Sequence, residues 1–314
     1  VKAPFFYCNE VCILIFLRWA ISIENILEEK MDSLSLYRII DFETFVDLML
    51  YGEERYVNPR KWDDTYEGYI FRMLDSKEGR GKLIEILYEH YEHDELRTVS
   101  AFGRLYSSYS GCYAQCWSAT EESDALWRIY SYGKHSIRIG TKVSKVKDVL
   151  KKNGHSYGKV VKIDYNMLQN NTAYEKIIME IKDMNSTYYG FSHKRAAFKH
   201  ENEYRAMFMN DTAEAVLGHL LFGQYKFEYR EDAKNIEEIV ERTERVFPYK
   251  AFNRSQTEIL KVDINEYIDS ILVNPFAEDW YVERVRRICE MKEIGEKFLG
   301  RSTLYQMPFK QSGI

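Results

Sequence analysis

Between residues 35 and 52 the spacing of apolar positions changes period. SLYRII (35–40) reads as a strand, and FETFVDLMLYG (42–52) carries apolar residues at helical spacing and closes on Gly52. The same kind of change recurs along the chain. EERYVNP (53–59) predicts a strand stopped by Pro59, and residues 66–93 predict mostly helix. GCYAQCWSA (111–119) has the period of a strand, and SDALWRIYS (123–131) that of a helix with Ser123 at its N-cap. HSIRIG (135–140) and GKVVKIDY (158–165) predict strands on either side of a lysine-rich helix that ends near residue 152. YEKIIMEIKDM (174–184) predicts a helix, and NEYRAMFM (202–209), YKFEYR (225–230), TEILKVDI (257–264) and DSILVNP (269–275) predict strands. AEDWYVERVRRICEM (277–291) is a helix with supportive Glu/Arg pairs, and STLYQM (302–307) closes the chain as a strand. No repeat or break in composition follows residue 31, which predicts a single α+β domain over 31–314. Residues 1–30 are expected to be an accessory segment, because VCILIFL (11–17) is too short to span a bilayer and Arg18 follows it at once.

Composition narrows the classes of function. A net charge of −5 argues against a surface that grips nucleic acid throughout, although a local basic groove such as KVSKVKDVLKK (142–152) stays open. The five cysteines follow no disulfide spacing, so a reducing, cytoplasmic location is expected. Cys8/Cys12 and Cys112/Cys116 each show C-x3-C without a second pair, and no metal site is expected from them. No Walker loop, G-x-G-x-x-G, H-E-x-x-H or G-x-S-x-G is present, which removes the main support for kinase, dinucleotide-fold dehydrogenase, zincin and α/β-hydrolase classes.

Two acidic clusters remain. Glu201 and Glu203 precede an apolar run; on a strand, residues two apart share a face, so the two carboxylates are expected side by side. Asp64 and Glu67 fit a helix cap and its first turn. Grouped with Glu201 and Glu203 they would instead offer oxygen ligands to Mg²⁺, with Lys194 or Lys199 near a scissile phosphate, as in a nuclease. His200 beside Glu201, and His90 with His93, are further acid–base candidates, the latter pair on a charged and solvated helix face.

In order, LYRI (36–39), YVNPRKWDDTYEG (56–68), CWSAT (116–120), ALWRIYS (125–131), HSIRIG, KVVKIDY, KRAAFKHENEYR (194–205), ILVNP and GRSTLY resemble the elements of a bacterial family catalogued as domain of unknown function 2971. The resemblance spans roughly 34–307, with Trp62-Asp63-Asp64-Thr65 in place of an Asn-Asp-Pro and Phe198 where Trp is common. Arg38, Ser118 within Ser-x-Thr and Glu201-x-Glu203 also follow one another in an order similar to that of arginine–serine–glutamate ADP-ribosyltransferases.

That second resemblance implies a mixed, split sheet flanked by helices, with NAD as substrate. Glu203 would stabilise the oxocarbenium-like ribose, and Glu201 would orient or deprotonate the acceptor. Arg38 would hold pyrophosphate or ribose, Ser118 with Thr120 would position the ribose, and Trp127 or Tyr130 would stack on the nicotinamide. The implied protein is a cytoplasmic ADP-ribosyltransferase or NAD glycohydrolase, a toxin or phage-defence effector. Its acceptor would be a protein or nucleic acid, with a partner or inhibitor protein and no membrane. The alternatives are a Mg-dependent nuclease and a non-catalytic module that binds a nucleotide or a protein.

Overall fold

A computed structural model describes residues 29–64, 66–131, 133–166, 187–210, 214–247 and 257–306. The helix expected at 174–184, Cys8, Cys12 and all but the end of the 1–30 segment lie outside them.

The chain begins with β1 (Ser35–Asp41), α1 (Phe42–Tyr51) and β2 (Glu53–Val57). Both ends of α1 are fixed locally. The Asp41 carboxylate accepts the Thr44 N–H, and Gly52 closes the helix at φ 61°, where a Cβ would stand 2.5 Å from the Val262 carbonyl oxygen. Then come α2 (Lys77–His90), α3 (Glu95–Gly111), β3 (Cys112–Ser118), α4 (Asp124–Tyr130), β4 (Ser136–Lys142), α5 (Val143–Lys152) and β5 (Lys159–Lys162). A 3-10 helix, Ala196–Glu201, leads into β6 (Glu203–Met209), followed by α6 (Glu214–Glu228), α7 (Ile236–Val246) and β7 (Thr257–Lys261). β8 (Ser270–Val273), α8 (Asp279–Met291) and β9 (Phe298–Arg301) follow, with short helical turns such as Tyr69–Arg72 and Ile264–Tyr267 between the longer elements.

The strands form one open mixed sheet flanked by helices, in the order β5-β6-β3-β1-β4-β8-β9, with β2 branching off β3 and carrying β7. Of the described strands, only β8 and β9 pair parallel. β3 is where the sheet forks. One of its edges pairs with β6 throughout, from Cys112↔Met209 to Ser118↔Glu203. The other edge is shared, β2 meeting it at Val57↔Ala114 and β1 at Tyr37↔Ser118.

Because side chains alternate along strands, the two faces bury different cores. Leu36, Ile40, Trp117, Ile139 and Phe208 pack with α1, α5 and α8 residues such as Phe45, Val146 and Val285. Cys112, Ala114, Met207 and Met209 pack on the other face with Leu83 of α2, Phe102 of α3, Ile239 of α7 and Phe247 just beyond it. Among the described residues no helix is long and apolar enough to cross a membrane.

Two expected strands are replaced. Residues 225–230 continue α6 as far as Glu228; the alternating aromatics suggested period two, but Leu221, Phe222, Tyr225 and Tyr229 form a helical stripe against the second core. The closing strand is Phe298–Arg301 rather than 302–307, since Ser302 turns its N–H to the Val273 carbonyl and the chain then bends. β5 is also shorter than expected, and Asp164 beyond it makes only a lone parallel bridge to His193. Two helices, α3 and α7, stand where no element was expected. Both are held by the second core, α3 through Val99, Phe102 and Leu105 and α7 through Ile236, Ile239 and Val246.

Candidate functional site

At the fork lies a cavity of about 300 Å³, at the lower end of the range for small-molecule sites. Arg38, Ser118, Thr120, Trp127, Tyr130, Glu201 and Glu203 all line it. They reach it from different sides. Tyr37, Ser118 and Glu203 are direct cross-strand neighbours and so share one sheet face. Arg38 is on the opposite face with the first core and reaches the cavity through the fork. There it bonds Glu54 at 2.6 Å and lies 5.1 Å from the Trp117 ring.

The doubled glutamate is not a pair on one strand face, as its spacing suggested. Glu201 ends the 3-10 helix, Asn202 turns through left-handed φ 44°, and Glu203 starts β6. Asparagine tolerates that turn because its short polar side chain can bond locally. The carboxylates still meet, because Lys194 draws them together. Its Nζ lies 2.6 Å from Glu201 Oε2, 3.2 Å from Glu203 Oε2 and 2.9 Å from Glu67 Oε1. Arg205, two residues after Glu203 and on the same strand face, donates from Nε to Glu203 Oε1 at 2.6 Å and from Nη2 to Glu67 Oε2 at 2.7 Å. Its Nη1 donates to the Phe191 carbonyl, and its guanidinium stacks 4.2 Å from the Trp62 ring centroid. Tyr130 donates its hydroxyl to Glu201 Oε1 at 2.8 Å.

All five charged members of this cluster are buried. Among the described residues this sets three carboxylates against two cations, one acidic group in excess. Burial pushes the Glu203 carboxyl up, but Arg205 and Lys194 outweigh it and hold it at about 2. Burial pulls Lys194 down and its three carboxylates more than reverse this. Burial and then Glu201 push the Tyr130 hydroxyl above its ordinary range. Cys116 also lines the cavity, its thiol pushed well up by burial and by Glu203.

Ser118 is committed locally: its Oγ donates to the Glu201 carbonyl at 2.6 Å and accepts the Thr120 N–H at 3.0 Å. It thereby ties the end of β3 to the turn that presents Glu201. Trp127 donates Nε1–H to Glu122 at 2.8 Å, and Ser302 donates its hydroxyl to the same Glu122 oxygen. The GRSTLY segment thus steadies the helix that roofs the cavity.

Arg138 of β4 is a cavity residue that sequence reasoning missed. It is 2% exposed, donates to the Glu121 carbonyl at 2.8 Å, and has Glu121 Oε1 at 3.7 Å and the Tyr37 ring at 4.8 Å. Its Nε has no partner among the described residues, and burial lowers its pKa. An arginine between two isoleucines of an apolar strand was the available signal. Lys194, Glu67 and Arg205 were visible only as letters of a motif or as alternatives.

The carboxylate grouping of the nuclease alternative exists only in part. Glu67, Glu201 and Glu203 converge, but the Lys194 ammonium stands at their centre, and Asp64 turns away to Arg195 at 3.0 Å and the Tyr66 N–H. Among the described residues no three or more His, Cys, Asp or Glu are grouped to hold a metal ion. His200 is exposed and rests near the Ala197 carbonyl; His93 pairs with Glu89 on the surface. On the lysine-rich α5, Lys145, Lys147 and Lys152 pair with Asp269, Asp32 and Glu266.

Residues 126–206 match a family model described as protein of unknown function (DUF2971), which supports the first resemblance drawn from the sequence. The matched stretch starts in α4 and ends in β6, and so carries Trp127, Tyr130, Lys194, Glu201, Glu203 and Arg205. No curated protein and no solved structure matches the chain.

Proposed function

We propose that the cavity at the fork binds NAD and breaks its nicotinamide–ribose bond, passing ADP-ribose to a macromolecular acceptor or to water. The observation that carries this reading is the convergence of Arg38, Ser118, Glu201 and Glu203 on one cavity, over a buried cluster with one acidic group in excess among the described residues. In the reaction the C1′–N bond breaks, its electron pair neutralises the pyridinium nitrogen, and positive charge develops on the ribose. A fixed, desolvated negative charge favours that state over the bound substrate only as the cation forms.

In this reading Glu203, ionised far below neutrality, stabilises the ribose cation, since each carboxylate oxygen can accept more than one bond. Glu201 takes the proton that the acceptor loses as it bonds C1′. Trp127 and Tyr130 supply the wall for the nicotinamide. The cavity volume suits this half of the dinucleotide, leaving the adenosine toward its mouth. Of the three arginines that line the cavity, Arg38 is held by Glu54 at 2.6 Å and the exposed Arg55 faces Asp47, so we assign the pyrophosphate chiefly to the buried Arg138, whose nearest carboxylate stands at 3.7 Å. The sheet is mixed and flanked by helices, which agrees with the coarse part of the architecture that the resemblance implies. A role as toxin or phage-defence effector, with a partner or inhibitor protein, follows from the resemblance alone.

The test is nicotinamide release from NAD by the purified protein, with and without cell lysate as a source of acceptor. Release is expected from the unmodified protein, and Glu203→Gln should lower it by about 100-fold or more. Absence of release under every condition overturns the proposal; if NAD or ADP-ribose still binds, the non-catalytic module takes its place.

A further inference from the structure

Lys194 lies directly behind the cavity floor, 7% exposed and without lining the cavity itself. Its three ammonium protons face three carboxylates, Glu67, Glu201 and Glu203, within 3.2 Å. The Phe198 ring, 4.6 Å from Nζ, closes off another side. Arg205 cannot replace it. Each of its nitrogens already serves Glu203, Glu67 or the Phe191 carbonyl, which leaves Lys194 as the only cation paired with Glu201 among the described residues.

The remaining groups around Glu201 do not supply a positive charge. Tyr130 from α4 donates a neutral hydrogen bond. Cys116 from β3 and Tyr165, whose hydroxyl accepts the Glu203 N–H at 2.8 Å, are neutral, with pKa values raised by burial. Arg195 is turned to Asp64 and to the Tyr66 and Phe198 rings. The neighbouring His193 is held neutral near pH 7 by burial. Without Lys194, Glu203 would keep Arg205 but Glu201 would be buried beside it with no cation of its own, so the two carboxylates would share a proton and titrate as a pair.

We propose that Lys194 is a positioning residue that keeps Glu201 and Glu203 ionised together and turned toward the cavity. Its catalytic consequence rests on the NAD-cleaving reading, whereas the charge state of the pair does not. An ionised pair gives the cavity floor, among the described residues, an excess of negative charge at neutral pH. A pair that shares a proton would leave Glu201 unable to accept one.

The experiment compares Lys194→Met and Lys194→Arg with the unmodified protein in two measurements. The first is titration of the glutamate carboxyl carbons by NMR, with Glu201→Gln and Glu203→Gln to assign the signals. The second is the pH profile of nicotinamide release. Lys194→Met should raise the apparent pKa of the pair by about one unit or more and move the acid limb of the profile up by the same amount. Lys194→Arg should restore both. A folded Lys194→Met with unchanged carboxyl titration overturns the proposal. Should Lys194→Met fail to fold, the double variant Lys194→Met/Glu201→Gln, which removes one charge of each sign, should recover folding; continued failure also overturns it. If the unmodified protein releases no nicotinamide, the NAD reading falls, while the carboxyl titration still decides the role of Lys194.

Discussion

His193 shows how a single buried group shapes the response to pH. It is 3% exposed, with neither ring nitrogen bonded among the described residues. Burial pulls its pKa down to about 4; Asp164 opposes this and Arg205 adds to it. The folded pKa is thus below the unfolded value of about 6.5. Between these two values the unfolded chain binds a proton that the folded chain refuses, so stability falls as pH falls, by at most ~3 kcal/mol. Glu203 acts in a lower window. Its contribution is present above the unfolded carboxylate pKa of about 4.3 and is lost as pH drops through its folded value of about 2. Urea midpoints measured against pH at constant ionic strength should therefore fall in two stages, and His193→Phe should flatten the first without touching the second. A single, unchanged stage near pH 6 to 4 in His193→Phe would show that another group is responsible.

At the scale of elements, the chain's own signals work where the structure is made locally and fail where it depends on one backbone turn or on distant packing. Ser123 caps α4 as its sequence announces, accepting the Leu126 N–H at 3.1 Å, and Gly52 ends α1. The acidic pair was legible as a candidate site, but its geometry was not, because nothing in Glu-Asn-Glu distinguishes an extended asparagine from a left-handed one. Likewise the Tyr-Lys-Phe-Glu-Tyr alternation of 225–229 fits a strand until the α3 side chains it packs on are known, such as Glu95, whose carboxylate accepts the Tyr225 hydroxyl at 2.5 Å. Asn202 gives a direct test. Glycine adopts φ 44° freely, while a β-branched residue there is strained by about 1–3 kcal/mol. Asn202→Gly should hold the melting temperature within a few degrees, losing mainly the Asn202–Thr120 contact. Asn202→Val should lower it clearly, and should separate Glu201 from Ser118 at the same time. Equal melting temperatures would mean that the turn is not imposed by this residue.

For the molecule as a whole, the fork is the feature that makes a cavity and also the feature that must be held together. β1 and β2 each pair with β3 and not with one another, so no ladder of backbone bonds closes the gap between them. Side chains do so instead. Arg38 from β1 pairs with the fully buried Glu54 of β2, while Gln115 of β3 donates to the same Glu54 oxygen at 2.7 Å and accepts from Trp117 Nε1 at 2.9 Å. This explains why Arg38 could be picked out from the sequence only as a candidate: alternation along β1 sets which residues share a face, but only the divergence of β1 and β2 decides that an arginine on the core side reaches the cavity. A buried ion pair that has lost one partner is much worse than one that has lost both. Glu54→Ala leaves the partly buried Arg38 guanidinium beside an aromatic ring with no counter-charge, and should cost about 3 kcal/mol in chemical denaturation. Arg38→Met combined with Glu54→Leu removes both charges and keeps the volume, so it should cost markedly less than the single change. If the double variant is at least as destabilised as Glu54→Ala, the pair contributes through the hydrogen bond that Glu54 accepts from Gln115 rather than by mutual compensation of charge. The fork would then be held by the β3 side chains alone.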